Sequence, residues 1–268
     1  MWGIIPAAGR GTRMQPLGFS KELLPLGSSM AGGAERPLAV SEYLLQRMLL
    51  GGAEKLCFII SSEKSDILEY FGGHYGSADV VYAVQADPNG LCDALFRASP
   101  LIAPHEDVLI GLPDTIWFPK TAYLDIPPCE LGFILFPSTH PEFFDAVVLD
   151  DEQHVLEIQV KQEVPETNWV WGAIKLSAKV FEELHRLWLQ RNRQDEYLGT
   201  LINAYLAQGG KARGFRIGTA YADVGTPRGY RDATEALKHV GTDQMVAGTP
   251  TPEPVARSET IERRDNAC

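Results

Sequence analysis

The chain has 268 residues, 45% of them hydrophobic, and a formal net charge of −11. This charge excludes a protein that works on long nucleic acid, which needs a broad basic face to release counterions. No run approaches the ~20 apolar residues that cross a bilayer, and Met1-Trp2-Gly3 opens a strand rather than a charged secretory leader, so a cytoplasmic protein with no membrane partner is expected. The four cysteines, Cys57, Cys92, Cys129 and Cys268, are far apart and lack Cys-x-x-Cys spacing, as reduced thiols would be rather than a disulfide frame or zinc site.

Apolar periodicity predicts a first strand over 2–6. A helix follows, with Pro37 near its start, Leu38, Tyr43, Leu44, Met48 and Leu49 at helical spacing and Gly51-Gly52 closing it. Next come a strand over 56–61, a helix over 63–71, a strand over 80–84, a helix over 91–98 and a strand over 107–110. Strands alternating with helices predict a mostly parallel sheet covered on both faces. Short strands are then expected over 131–136, 146–149, 154–159 and 168–176, and helices over 180–190 and 195–207. Segments 211–217 and 219–223 read as a strand pair, and 228–238 as a closing helix. The expected domain covers 1–240, with halves of about 1–125 and 126–240. Beyond it, 241–268 contains Thr-Pro-Thr-Pro-Glu-Pro and reads as a flexible tail.

Chemistry concentrates after the first strand, in Gly3-Ile4-Ile5-Pro6-Ala7-Ala8-Gly9-Arg10-Gly11-Thr12-Arg13-Met14-Gln15-Pro16, then Lys21-Glu22-Leu23-Leu24-Pro25. Small residues let backbone N–H groups approach phosphate oxygens, and Arg13 and Lys21 add the positive charge a triphosphate requires. Ala8, Gly9, Gly11 and Thr12 are the candidate contacts. A dinucleotide loop is excluded because Met14 stands where a third small residue is required, and a Walker loop because Gly-Lys-Ser/Thr is absent.

From residue 2 to about 238 the chain resembles the sugar-phosphate nucleotidyltransferases, whose signature is Gly-x-Gly-Thr-Arg, Pro, then Lys before Leu-Leu-Pro. The resemblance implies an α/β, Rossmann-like fold, mostly parallel, with helices flanking the sheet and a sugar-binding subregion of short strands in the second half. Later motifs follow the family order. Gln85-Ala86-Asp87-Pro88-Asn89-Gly90-Leu91 resembles the segment that reads a pyrimidine, Gln85 offering an amide donor and a carbonyl acceptor and Gly90 a close backbone approach. Asp114, after Ile110-Gly111-Leu112-Pro113, and Asp223, in Ala222-Asp223-Val224-Gly225-Thr226-Pro227, match the two magnesium carboxylates. Lys161 through Asn168 to Gly172 is similar to the segment that holds the sugar phosphate.

The implied reaction is attack by a sugar-1-phosphate on the α-phosphorus of a pyrimidine triphosphate, UTP or dTTP, with Mg2+ as cofactor and release of pyrophosphate. A phosphate monoester loses its second proton near ~6, so the nucleophile needs no general base, and the six scattered histidines supply no triad. The barrier is the meeting of two polyanions, which cations and dipoles must offset. On this account Arg13 holds the leaving phosphates, Lys21 the α-phosphate and Lys161 the sugar phosphate.

Some positions depart from the family. Val160 stands in place of a Glu that accepts sugar hydroxyls, Gln162 in place of Pro and Ala146 in place of a Gly against the sugar ring, so glucose is not implied. The interval between Arg13 and Lys21 is shorter than in typical members. Cytidylyl transfer to a non-sugar phosphorylated alcohol and a catalytically silent nucleotide-binding regulator remain as alternatives, and a homo-oligomer is compatible with the resemblance.

Overall fold

The elements, in chain order, are β1 (Trp2–Pro6), β2 (Pro25–Ala31), β3 (Ala34–Ala39), α1 (Val40–Leu50), β4 (Lys55–Ile60), α2 (Ser65–Phe71), β5 (His74–Tyr75), β6 (Ala78–Val84), α3 (Leu91–Phe96) and β7 (Asp107–Gly111). They continue with β8 (Thr115–Phe118), β9 (Leu131–Pro137), β10 (Asp145–Leu149), β11 (Val155–Val160), β12 (Trp169–Ser177), α4 (Ala178–Gln190), α5 (Leu198–Ala207), β13 (Arg213–Phe215), β14 (Ala220–Asp223) and α6 (Pro227–His239). The structure is a computed structural model and describes residues 1–31 and 33–239; the expected tail over 241–268, with Cys268, lies outside the described residues.

β1 occupies the middle of a sheet in which β6, β4, β1 and β7 run parallel. β12 joins β7 antiparallel and extends the sheet to β10 and β11, while β9 and β13 pair beyond it. Side chains alternate across the sheet, so Ile4, Cys57 and Ile59 pack with α3, α4 and α5, whereas Ile5 and Phe58 pack with α1 and α2. Each large apolar side chain so buried contributes ~1.5–3 kcal/mol. Burial pushes the Cys57 thiol up to about 12, the behaviour of an inert core cysteine. Cys57, Cys92 and Cys129 are free thiols.

Because β1, β6 and β7 are parallel, their C-terminal ends open on one edge and deliver there the loops beginning at Ala7, Gln85 and Leu112. Ligands bind at that edge in open sheets of this type.

Three expectations need correction. Pro37 does not start a helix: it lies in β3, opposite Ser28 of β2, in a two-stranded ladder that tolerates its missing N–H, and α1 begins at Val40. α1 starts there because Glu42 accepts a hydrogen bond from the Ala39 backbone N–H at 3.0 Å. The segments 211–217 and 219–223 do not pair with each other; β13 runs parallel to β9, and β14 pairs antiparallel with β8, a strand absent from the sequence reading. The helix expected from 195 begins at Leu198.

Candidate active site

The loop after β1 is fastened from below. Ala7 donates its N–H to the Ile59 carbonyl at 2.8 Å, and Lys64 Nζ donates to the Ala7 carbonyl at 2.6 Å and to both Glu22 carboxylate oxygens at 2.8 Å. Lys64 and Glu22 are buried, so the ion pair ties the start of the loop to the Lys21-Glu22 turn. Burial pushes the Glu22 carboxyl up and the Lys64 ammonium down, against their mutual attraction. Ala8 is buried, Gly9 and Thr12 are exposed, and a Cβ on Gly9 would meet only open space. Gly11 has φ +62°, and a Cβ there would lie 2.9 Å from Lys21 Cδ. Both the left-handed backbone and the passage of Lys21 across it select glycine.

Lys21 Nζ reaches Asp114 Oδ2 at 2.5 Å. Asp114 follows β7 and leads into β8, whose antiparallel register with β14 sets Thr115 opposite Asp223 and so brings Asp223 beside Asp114. Val224 N–H also donates to the Asp114 carbonyl at 2.8 Å. α1 anchors this ladder: the buried Arg47 donates Nε and Nη2 to the Trp117 carbonyl at 2.9 and 2.6 Å. With no carboxylate partner among the described residues, its guanidinium is lowered by burial to about 10.

The convergence is tightest at Gly225. A Cβ there would stand 2.8 Å from Asp223 Oδ1, 3.0 Å from Asp114 Oδ2 and 3.2 Å from Arg13 Nη2. Gly225 N–H donates to Asp223 Oδ1 at 2.7 Å, and the exposed Arg13 guanidinium lies 3.8 Å from Asp223 Oδ2. Arg13, Lys21, Asp114 and Asp223 therefore meet at one place.

Their environments drive the two carboxyls apart. Burial alone would raise Asp114, but the Lys21 ammonium outweighs it and holds the carboxyl below the usual range. At Asp223, burial and then the negative charge of Asp114 outweigh the Gly225 N–H and the Arg13 and Lys21 cations, and the carboxyl is raised. Burial opposes the charge of Lys21, yet the Asp114 and Glu22 carboxylates keep it above the ordinary lysine value.

On the adjoining side, Gln85 is buried and Nε2 donates to the Gly90 carbonyl at 3.1 Å and to Asp93 Oδ2 at 2.7 Å. This corrects the expected donor-and-acceptor role: the amide N–H groups are engaged within the protein, and Oε1 remains as the acceptor. A small cavity opens among Ala8, Arg10, Ser61, Glu63, Gln85 and Pro88. Gly90 has φ +93°, and a Cβ there would stand 2.7 Å from the Glu196 carbonyl oxygen.

Lys161 contacts none of the four clustered side chains among the described residues. It follows β11 in the left-handed region, φ +46°, and its ammonium lies 4.3 Å from the centre of the Tyr197 ring. Glu196 packs on Gly90, so the segment before α5 links the Lys161 end to the Gln85 end. Gly172 admits the Tyr221 ring, whose Cε2 would be 2.5 Å from a Cβ. Val160 is half-buried opposite Asp145, and Ala146 is fully buried between Gln159 and Val170.

Sequence reasoning missed Lys64, Glu22, Arg47 and Gly225 as parts of the site. Glu22 and Gly225 lay within motifs already recognised. Lys64 and Arg47 carried no local signal, because a lone cation in a helical segment reads as a surface group.

The model of the nucleotidyl transferase family matches residues 2–240. Among curated proteins, the chain is 25% identical to the UTP–glucose-1-phosphate uridylyltransferase AglF of Haloferax volcanii, over 90% of this chain and 98% of that protein. It is 26% identical to the glucose-1-phosphate thymidylyltransferase of Neisseria gonorrhoeae, over 90% and 83%. It is 24% identical to the bifunctional protein GlmU of Methanocaldococcus jannaschii, over 91% of this chain, and spans 56% of that protein's length. Among solved structures, a putative glucose-1-phosphate thymidylyltransferase from Bacillus anthracis, in complex with a sucrose, shares the fold with a TM-score of 0.74 at 20% identity, over 90% of this chain and 97% of that one. The UTP-bound UGPase of Acinetobacter baumannii aligns with a TM-score of 0.69 at 18% identity, over 91% and 95%. Among the described residues no helix is long and apolar enough to cross a membrane. With the family model matched over almost the whole described chain, the protein belongs to the nucleotidyl transferase family of enzymes.

Proposed function

We propose that the chain transfers a nucleotidyl group from a pyrimidine triphosphate, UTP or dTTP, to a sugar-1-phosphate, releasing pyrophosphate and forming a nucleotide-sugar. The observation that carries this reading is the meeting of Arg13, Lys21, Asp114 and Asp223 around Gly225, at the sheet edge where the loop after β1 leaves open space. Names of relatives over most of their length support the substrate class.

The donor set fits magnesium. Asp114 Oδ2 and Asp223 Oδ1 both lie within 3.0 Å of the point marked by a Cβ on Gly225. Magnesium commonly takes one or two carboxylates and completes its shell with substrate phosphates and water. When bound, it would screen the two polyanions from each other and stabilise charge on the phosphates. Asp223, whose carboxyl is raised by burial and then by Asp114, is the ligand whose ionisation a divalent cation would favour.

The protein's own groups account for the rest. Lys21, oriented by Asp114 and by the bare surface of Gly11, is placed to transfer its ammonium from carboxylate to α-phosphate as charge builds there. Arg13, exposed and held to Asp223 only at 3.8 Å, takes the departing phosphates. Gln85 Oε1 faces the base, and Lys161 meets the phosphate of the acceptor, which attacks in its dianionic form without a general base.

A second reading, cytidylyl transfer to a phosphorylated alcohol, draws on Val160, whose methyl group adds an apolar surface beside Asp145. The test is pyrophosphate release with UTP, dTTP, CTP, ATP and GTP against a panel of sugar-1-phosphates and phosphorylated alcohols. Turnover of a pyrimidine triphosphate with a sugar-1-phosphate is expected. Turnover of alcohols alone selects the second reading, and nucleotide binding without turnover selects the silent regulator.

A further inference from the structure

β10 and β11 pair so that Asp145 stands directly opposite Val160. Directly opposed residues of an antiparallel pair present their side chains on one face. Both reach the same neighbour, since a Cβ on Gly199 would meet Val160 Cγ2 at 2.7 Å and Asp145 Oδ2 at 3.3 Å. An apolar group and a carboxylate thus lie side by side against the first turn of α5.

The carboxylate is held by one oxygen only. Trp171 Nε1 donates to Asp145 Oδ2 at 3.3 Å, and Oδ1 accepts no hydrogen bond from any described residue. Burial pushes this carboxyl up, against the indole N–H and the Lys161 charge. Oδ1 is not sealed in the interior, so it stands open to water and to a ligand hydroxyl that replaces water.

Its surroundings locate it between the two ends of the site. Lys161 donates its backbone N–H to the Phe144 carbonyl at 3.1 Å, next to Asp145, its charge acts on the Asp145 carboxyl, and the half-buried Tyr221 lies near enough to Asp223, Asp114 and Asp145 for its hydroxyl to feel all three. The Phe144 ring meets Tyr221 edge-on at 5.5 Å. Asp145 therefore lies between the paired aspartates and the cation assigned to the acceptor phosphate.

We propose, resting on the sugar-phosphate reading above, that Asp145 selects the acceptor: its Oδ1 accepts a hydrogen bond from a ring hydroxyl, so acceptors with a hydroxyl there are taken and acceptors carrying a carboxylate are refused. A hydroxyl donating to a charged group contributes enough that losing it should cost about 10- to 100-fold in acceptor KM.

The experiment measures pyrophosphate release by wild type, Asp145→Asn and Asp145→Ala with D-glucose 1-phosphate, D-galactose 1-phosphate, their singly deoxygenated analogues and D-glucuronic acid 1-phosphate. The expected result is a raised acceptor KM in Asp145→Ala with nucleotide KM within about twofold. One deoxy analogue should lose the same factor in wild type and nothing further in Asp145→Ala. Asp145→Asn, isosteric and able to keep the Trp171 contact, should fold normally and gain turnover of the glucuronate. A purely structural role would leave selectivity among analogues unchanged. Sugar-phosphate turnover with unaltered acceptor KM in Asp145→Ala overturns the assignment of Asp145 alone. No turnover of any sugar phosphate by wild type overturns the underlying reading, and this assignment with it.

Discussion

Asp223 stands beside Asp114 because a four-residue strand, β8, pairs with β14 in the register that sets Asp223 opposite Thr115. The two carboxyls differ in character: Asp114 is neutralised by Lys21, whereas Asp223 bears the repulsion of its neighbour. Their removal should therefore have unlike effects on stability and like effects on activity.

Asp114→Asn leaves the Lys21 ammonium without its partner and should cost about 1–3 kcal/mol in urea unfolding. Asp223→Asn relieves repulsion and should be neutral or stabilising. Both should lower magnesium-dependent kcat by about 10²- to 10³-fold. Full activity in Asp223→Asn would remove that residue from the site, and equal destabilisation by the two variants would refute the electrostatic asymmetry.

Gly225→Ala places a methyl group against Asp223 Oδ1, Asp114 Oδ2 and Arg13 Nη2 at 2.8–3.2 Å. It should lower activity about 10- to 100-fold through displaced ligands, since small misplacements of reacting groups are costly. The melting temperature should move by only a few degrees. Near wild-type kcat would mean that the four side chains do not work together at this point.

Gly90→Ala should destabilise by about 1–3 kcal/mol, because φ +93° and the Glu196 backbone both oppose a Cβ. Gln85→Ala frees the Gly90 carbonyl and should weaken pyrimidine preference in the triphosphate panel more than it lowers stability. An unchanged nucleotide profile would take base reading away from Gln85.

The Glu106 carboxyl is held down at about 2 by the Lys55 ammonium at 2.8 Å, with the Ala103 N–H and the Trp2 indole N–H adding to it against burial. A glutamate in the unfolded chain titrates near ~4.3. The folded state thus binds this proton less readily, so the stabilisation is complete above the unfolded value and is lost as pH falls toward about 2. Glu106→Gln should be less stable than wild type at pH 7, and the gap should close on acidification from about 5 to about 2. A gap independent of pH would contradict the assignment.

Much of the site was legible because its residues follow strand ends in chain order, and burial of β1, β4, β6 and β7 leaves runs of apolar residues that announce those ends. The pairings of short strands were not legible. Thr115–Phe118 is a run of four after Pro113-Asp114, and its strand character depends on β14, more than 100 residues later, and on Arg47 holding the Trp117 carbonyl. The β2–β3 hairpin was hidden for a related reason: Pro37 reads as a helix start unless its partner Ser28 is known. Lys64 was indistinguishable from a solvated lysine until its contacts with Glu22 and the Ala7 carbonyl were seen. Val160 was legible as a missing carboxylate, but the carboxylate facing it, Asp145, emerged only from the β10–β11 register.

On the proposed mechanism Arg13, Lys21, Asp114 and Asp223 direct an acceptor phosphate onto the α-phosphorus of a triphosphate. The most direct measurement follows the fate of label from UTP carrying 32P at the α or the γ position, with magnesium and a turned-over sugar-1-phosphate. The expected result is α-label in the nucleotide-sugar and γ-label wholly in pyrophosphate, with both transfers abolished by Lys21→Ala. Release of γ-label as inorganic phosphate, or α-label transfer undiminished in Lys21→Ala, would contradict it.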